Sequence, residues 1–347
     1  MCRWIINLCC GTIDSWLIFK LTGAKSFKTD YSNASRTQLL NLQTGVWDEE
    51  ICELFGLSIK MLPQLCDSNA NFGVTDFEGF LDAPTPIHGV LGDSHGALFG
   101  QGCLQTGMIK CTYGTGSSVM MNIGNKPAPS SNGIVTSIAW AMDGKIDYML
   151  EGNINYTGAV MKWISDDLGL VASPQEASQL AATASVEDTT YLVPAFTGLG
   201  APYWDSTAKA ALWGMTRHTG KAEIIRASEE CIAYQIADIV DIMTEASSVS
   251  IAALRVDGGS TRDKFLMQFQ SDILNIPVMV SNVEELSGTG AAFMAGIGMR
   301  LYKLEDVMET VKRKNYYPQM TFELRDRKYA GWKEAVAKVL TGQSALQ

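Results

Sequence analysis

The sequence predicts an α/β fold of packed layers arranged in two domains, and three observations carry that prediction. Strand patterns alternate with helix patterns through the second half. A long antiparallel run begins near residue 102, which places the boundary between residues 1–101 and 102–347. At about 150 residues per domain, 347 residues with 46% hydrophobic content can build two cores.

The elements follow in order. Residues 12–22 (TIDSWLIFKLT) space Ile13, Trp16, Leu17 and Leu21 as one buried face of a helix, which Gly23 stops. The polar stretch 26–42 holds turn formers and caps, and Asp48 opens a short helix. Pro84 and Pro86 precede an apolar strand, 87–91, that ends at Gly92 and Asp93. Strands at 108–113 and 119–123 flank the turn GTGSS, and strands at 133–142 and 145–151 flank Asp143-Gly144. Helices are expected at 157–168 and 175–184, a strand at 191–193, a Gly/Pro-rich loop at 194–205 and a long helix at 221–247. A strand at 253–256, a helix at 260–274, a strand at 278–280 and helices at 287–301 and 326–340 complete the chain.

Composition excludes several function classes. Thirty-seven acidic against 27 basic residues, a net charge of −10, argue against a nucleic-acid partner, which demands clustered positive charge. The eight cysteines include no C-x-x-C pair, and a chain this large needs no disulfide staples, so reduced thiols and a cytoplasmic location are expected. No apolar run approaches the ~18 residues of a membrane span. The start resembles a secretory leader, with Arg3 before apolar residues 4–8, but Asn7, Asp14 and Lys20 interrupt it and no cleavage pattern follows.

Four segments could carry chemistry. In HGVLGDSHGALFGQG (88–102), Asp93 stands at a strand-to-helix junction, where it serves either as a proton acceptor or as a helix N-cap. His95 reads as a polar helix residue. The turn around Thr115, between Gly114 and Gly116, can aim backbone N–H groups and a hydroxyl at a phosphate oxygen, although a hairpin needs glycines without any ligand. Asp257-Gly258-Gly259-Ser260 leads from strand to helix, so a phosphate could lie on the helix N-terminus, and Ser260 with Asp263 also forms a capping box. Gly290, Ala291, Ala292, Ala295 and Gly296 make a small-residue face suited to close packing. There is no Walker loop, G-x-G-x-x-G or zinc pattern. Glycine-lined turns and a carboxylate at strand ends suit phosphoryl transfer.

Taken together, TDYSNASRTQLLNLQTGVWD (29–48), GDSHGALFGQG, TYGTGSSVMM, VPAFTGLGAPYWD (193–205), RVDGGSTRDKFLMQFQSDIL (255–274) and YAGWKEAV (329–336) resemble the FGGY carbohydrate kinases, within them the branch acting on glycerol. AALWGMTRHTGKAEIIRASEE (210–230) nearly meets the family's second signature, departing at Glu229, where an apolar residue is usual. The resemblance implies an actin-like, ribonuclease-H-like ATPase fold, one domain partial and one nearly complete. It implies ATP with Mg2+ as phosphoryl donor and a small polyol or sugar as acceptor, most nearly glycerol. Asp93 then matches the general base, and Ser94 and Ser118 the acceptor-binding positions. Thr115 and Gly116 match the γ-phosphate contact, Gly158 the helix turn beside the nucleotide, Gly258 and Gly259 the shelf under adenosine and α-phosphate, and Asp263 a position near adenine. No protein metal ligand is assigned, and a homo-oligomer stays open.

The departures shape the expectation further. Asp263 replaces a usual Asn, Ser94 a usual Gln, and Ser118 an aromatic that packs on the acceptor's carbons, which would widen the pocket for a longer polyol or a ketose such as xylulose. Pro84 replaces an effector-binding Arg, so regulation by a sugar bisphosphate is not expected. The family's D-x-G-T-T-S phosphate loop and the residues after it are not in this sequence, so it reads as an N-terminally truncated relative, expected to turn over little on its own. The reading from a different class is a non-catalytic nucleotide-binding remnant.

Overall fold

A computed structural model describes residues 8–129 and 133–342, so most of the leader-like start, including Arg3 and Asn7, lies outside the described residues. Its centre is a seven-stranded sheet: β1 (Ile109–Tyr113), β2 (Ser117–Gly124), β3 (Val135–Met142), β4 (Lys145–Ile154), β5 (Leu254–Gly258), β6 (Val278–Ser281) and β7 (Arg313–Tyr316). The spatial order is β7-β6-β5-β1-β2-β4-β3. Strands β1, β5 and β6 run parallel, and hairpin partners β2, β3 and β4 extend the sheet antiparallel. Parallel neighbours need crossovers, and the helices between them supply these. The polar β7, RKNY, was not anticipated; as the outermost strand it needs no apolar alternation.

Period-two alternation sorts the sheet into two faces. Ile109, Cys111, Tyr113, Val119, Met121, Leu150, Leu254 and Val256 pack with α3 (Lys221–Ser247), α4 (Lys264–Leu274) and α6 (Phe322–Val339) in the main core. Met120, Trp140 and Met149 point the other way, against α1 (Asp93–Gly100) and α5 (Leu286–Gly298). Phe99 on α1 meets Trp140 edge-on, with ring centroids 5.1 Å apart. The small-residue face of α5 serves packing, as expected: a Cβ on Gly290 would sit 1.8 Å from the Gly96 carbonyl oxygen. Helix α2 (Pro174–Thr183) packs against α3 and α4.

Four expectations need correction. The first helix, Ile13–Leu21, buries Asp14, Ser15 and Ile18 while Ile13, Trp16 and Leu17 are exposed, because the Asp14 carboxylate turns inward to accept the Thr29 hydroxyl at 2.7 Å. The strand before Asp93 spans only Thr85–Ile87; the following residues bend away, with Val90 N–H bonded to the Ser68 carbonyl. The helix expected at 157–168 is an α-helical turn, Gly158–Lys162, that relaxes into a π-helical turn, Trp163–Asp167. The helix expected from 260 starts later, after a 3-10 turn at Gly259–Arg262, because Asp263 rather than Ser260 caps it: its carboxylate accepts the Leu266 N–H at 3.0 Å. The described cysteines are free thiols.

Candidate active site

The sheet face toward α1 carries a polar band. Because Ile109, Cys111 and Tyr113 face the main core, Lys110 and Thr112 face α1, and the same alternation sends Ser118, Glu151, Arg255 and Asp257 to that side. These groups are bonded across the band. Lys110 Nζ donates to Thr112 Oγ1 at 2.9 Å, Gln101 at the end of α1 donates to Asp257 Oδ2 at 3.0 Å, and Ser118 Oγ donates to Glu151 Oε1 at 3.3 Å. Arg36, from the NASRT segment, closes the row with Nη1 2.7 Å from Glu151 Oε2. Burial pulls the Lys110 ammonium below its ordinary pKa, and Asp257 opposes that pull.

Asp93 stands at the start of α1 above this band. Gly92 occupies the N-cap position, so Asp93 is not the cap, and its exposed carboxylate accepts only the neighbouring Ser94 N–H, at 2.6 Å. This leaves acceptor capacity on a carboxylate open to solvent, the state a proton acceptor requires. Beneath it His95 is buried with Nε2 unpartnered, and desolvation, helped by Arg36 and Lys110, holds its pKa down to about 3. A neutral imidazole so placed is a wall, not a base, which agrees with its reading as a polar helix residue. Ser94 is half-buried beside Asp93.

The hairpin turn is built onto the following helix start. Gly158 N–H donates to the Gly114 carbonyl at 3.0 Å, and Ala159 N–H donates to the Thr115 carbonyl at 3.0 Å. Thr157 Oγ1 donates to the Gly114 carbonyl at 3.1 Å and accepts from Ser117 Oγ at 3.1 Å. Thr115, Gly116 and Gly158 are therefore one rigid unit, with Thr115 exposed at its tip. Gly258 reaches the same unit from β5: its φ is +96°, and a Cβ there would lie 2.2 Å from the Tyr113 carbonyl, a position only glycine fills.

A cavity of about 550 Å³ opens beside this unit, with Gly158, Lys162, Ser178, Glu229, Gly259 and Asp263 in its wall. Its size fits a nucleotide-sized ligand. A Cβ on Gly259 would meet nothing within 4 Å, so the backbone there borders open space. At the N-terminus of α4 the Asp263 carboxylate takes the Leu266 N–H at 3.0 Å and the Ser178 hydroxyl at 2.7 Å. Among the described residues no group of three or more His, Cys, Asp or Glu could hold a metal ion.

The structure thus joins Thr115, Gly116, Gly158 and Gly258 through one turn, and Gly158, Gly259 and Asp263 through one cavity. His95 feels the charges of both Arg36 and Asp93, and Arg36 leads through Glu151 to Ser118. Sequence reading missed Arg36, Lys110, Glu151 and Asp257 as a connected set. The available signal was the alternation of single polar residues inside otherwise apolar strands.

Residues 5–100 match the FGGY family of carbohydrate kinases, N-terminal domain, and residues 109–299 match the C-terminal domain of the same family. The chain is 49% identical over 333 residues to glycerol kinase 1 of Thermotoga maritima, covering 95% of this chain and 68% of that protein. It is 45% identical over 334 residues to a glycerol kinase of Francisella tularensis, covering 96% of this chain and 66% of the relative. The crystal structure of Plasmodium falciparum glycerol kinase with ADP superposes with a TM-score of 0.90 at 36% identity, over 95% of this chain and 66% of that one. Ligand-bound xylulose kinase from Lactobacillus acidophilus, 23% identical, shares the fold with a TM-score of 0.82 over 94% of this chain and 67% of the other. The chain spans about two thirds of the length of these relatives.

Proposed function

Because the chain belongs to the FGGY family of carbohydrate kinases, with their actin-like ATPase fold, we propose that its chemistry is ATP-dependent phosphoryl transfer to a hydroxyl of glycerol, giving glycerol 3-phosphate. The observation that carries this reading is Asp93: an exposed carboxylate at a helix start whose N-cap position is held by Gly92. Asp93 takes the proton of the attacking hydroxyl. In a loose transition state the hydroxyl loses that proton late, so a carboxylate is basic enough.

The other residues bind and orient. Thr115 and Gly116 offer a hydroxyl and backbone N–H groups to the γ-phosphate, and Gly158, Gly258 and Gly259 let the nucleotide approach the backbone closely. Asp263 lies at the base end of the cavity. Ser94 and Ser118 hold the acceptor, with Ser118 oriented by Glu151. Magnesium would be held mainly by the phosphates of the nucleotide, where it would neutralise charge; this ion usually keeps several waters and takes only one or two carboxylates. The organisation we propose puts Asp93 in a unit over residues 1–101 and the nucleotide contacts in a unit over 102–347. The setting proposed for this activity is the cytoplasm.

Ser118 supports a second acceptor reading. A small hydroxyl hydrogen-bonded to Glu151 leaves room and polarity for a longer polyol or a ketose. Calorimetric titration with Mg-ATP tests the nucleotide site: parent and Asp93→Asn bind, and Gly259→Arg does not. Absence of binding by the folded parent overturns the reading. Single-turnover transfer from [γ-32P]ATP, with protein in excess, tests the acceptor: label reaches glycerol and disappears in Asp93→Asn, whereas faster labelling of xylulose selects the second reading.

A further inference from the structure

Asp30 ends the strand Lys28–Asp30, is fully buried and takes no part in the chemistry proposed above. Five donors nevertheless converge on its carboxyl. Oδ2 accepts the Ser32 N–H at 2.9 Å and the Ser68 hydroxyl at 2.7 Å, while Oδ1 accepts the Ser32 hydroxyl at 3.0 Å, the Asn33 N–H at 3.0 Å and the Asn33 side-chain amide at 2.7 Å. Capping the short helix Tyr31–Ala34 uses only the two backbone donors. The two serine hydroxyls serve another end.

A hydroxyl has one proton to give and lone pairs with which to accept. Because Ser32 and Ser68 both give that proton to Asp30, each turns a lone pair outward. Ser32 Oγ takes the Gly92 N–H at 2.9 Å, and Ser68 Oγ takes the Ala141 N–H at 3.3 Å. The Ser68 backbone adds two more bonds: its carbonyl accepts the Val90 N–H at 3.1 Å, and its N–H donates to the Ala141 carbonyl at 2.7 Å. Residues 88–92 belong to no strand or helix, so no ladder fixes them. The packing of Gly96 and Gly100 against α5 seats the middle and end of α1, and the bonds that lead to Asp30 fix the residues before its first turn. They also tie those residues to β3, the edge strand of the large sheet.

We propose that Asp30, acting through Ser32, is a positioning residue for Asp93: it fixes the direction of the Gly92 N–H bond and with it the approach of the Asp93 carboxylate to the acceptor hydroxyl. The proposal rests on the reading of Asp93 as the proton acceptor.

The test compares the parent with S32A, D30N and S35A. S35A is the control for stability, since the Ser35 hydroxyl ties the same short helix to β3 through the Ser137 hydroxyl at 2.7 Å and the Ile138 N–H at 3.3 Å without touching residues 88–92. Three quantities are read: the melting temperature, amide exchange at Gly92, and single-turnover transfer from [γ-32P]ATP as glycerol is varied. In S32A the Gly92 amide exchanges faster and the saturating rate falls by about tenfold or more, the scale of a reacting group displaced by a fraction of an ångström, while the half-saturating glycerol concentration stays that of the parent. D30N, which sets an amide donor among donors, loses at least as much rate. S35A lowers the melting temperature but keeps the Gly92 exchange and the rate. A smaller loss of rate in S32A, a loss shared by S35A, or a change confined to half-saturation overturns the proposal and leaves Asp93 as the base. A folded parent that transfers no phosphate overturns both readings.

Discussion

The carbonyl oxygen of Gly96 on α1 lies 1.8 Å from where a Cβ on Gly290 would stand, so the helix that carries Asp93 is seated directly on the backbone of α5. Gly100 repeats the contact, with a Cβ there 2.3 Å from the Leu286 carbonyl. Asp93 is thereby placed by a segment far downstream in the chain.

Gly290→Val is expected to push the two helices apart. Overpacking of this kind costs about 1–3 kcal/mol, and backbone rather than a flexible side chain must give way here. A lowered melting temperature with faster amide exchange across residues 93–100 is the expected result. An unchanged melt would mean that the helix pair is not tightly seated.

Arg36 and Glu151 form the second testable pair. Glu151 is buried, while Arg36 is half-exposed. Arg36→Leu leaves the carboxylate without its cation, a loss on the order of 1–3 kcal/mol for a buried charged group. Glu151→Gln in the same background recovers most of it. Urea unfolding of the four proteins gives the coupling, and additive losses would show that the pair does not interact.

His95 predicts an acid-side effect. Its folded pKa is held down to about 3 from the ordinary 6.5. The unfolded chain therefore binds the proton first, so the stability this group contributes is complete above pH 6.5 and is lost as pH falls toward 3. The stability gap between parent and His95→Gln should shrink between pH 7.5 and pH 5. A gap that is constant over that window would contradict a buried neutral imidazole.

Glu230 anchors α6. Its carboxylate takes Arg226 Nε at 2.6 Å, Lys328 Nζ at 3.2 Å and the Tyr234 hydroxyl at 3.2 Å, all buried. Glu230→Leu leaves two buried cations unpaired and is expected to cost about 3–5 kcal/mol. The urea midpoint reads this directly. The triple Glu230→Leu, Arg226→Met, Lys328→Met should regain most of the loss, because no charge is then left buried.

Much of this protein is written locally in its sequence. Apolar alternation and glycine turns mark the hairpin strands β1 to β4, and the periodicity of 221–247 marks α3 with both its ends, Lys221 and Ser247, because these signals depend on neighbours within a turn or two of chain. The same locality misled at Ile13–Leu21, where spacing alone pointed to Ile13, Trp16 and Leu17 as the buried face and the Asp14 to Thr29 bond reversed it. It misled again at Ser260, where a capping box was legible but Asp263 took the cap.

The sequence by itself determined the hairpin strands β1 to β4, the turns at Gly114–Gly116 and Gly258-Gly259, and the carboxylate at Asp93. Only the tertiary structure decided that Lys110, Ser118, Glu151 and Asp257 share one face, and that Glu229 shares a cavity with Asp263. Alternation tells which side of a strand a residue takes, but the order of strands in the sheet decides which polar groups become neighbours. Helix packing likewise decides which buried carboxyl loses its water and which finds a partner, and those two choices set the chemistry of the site.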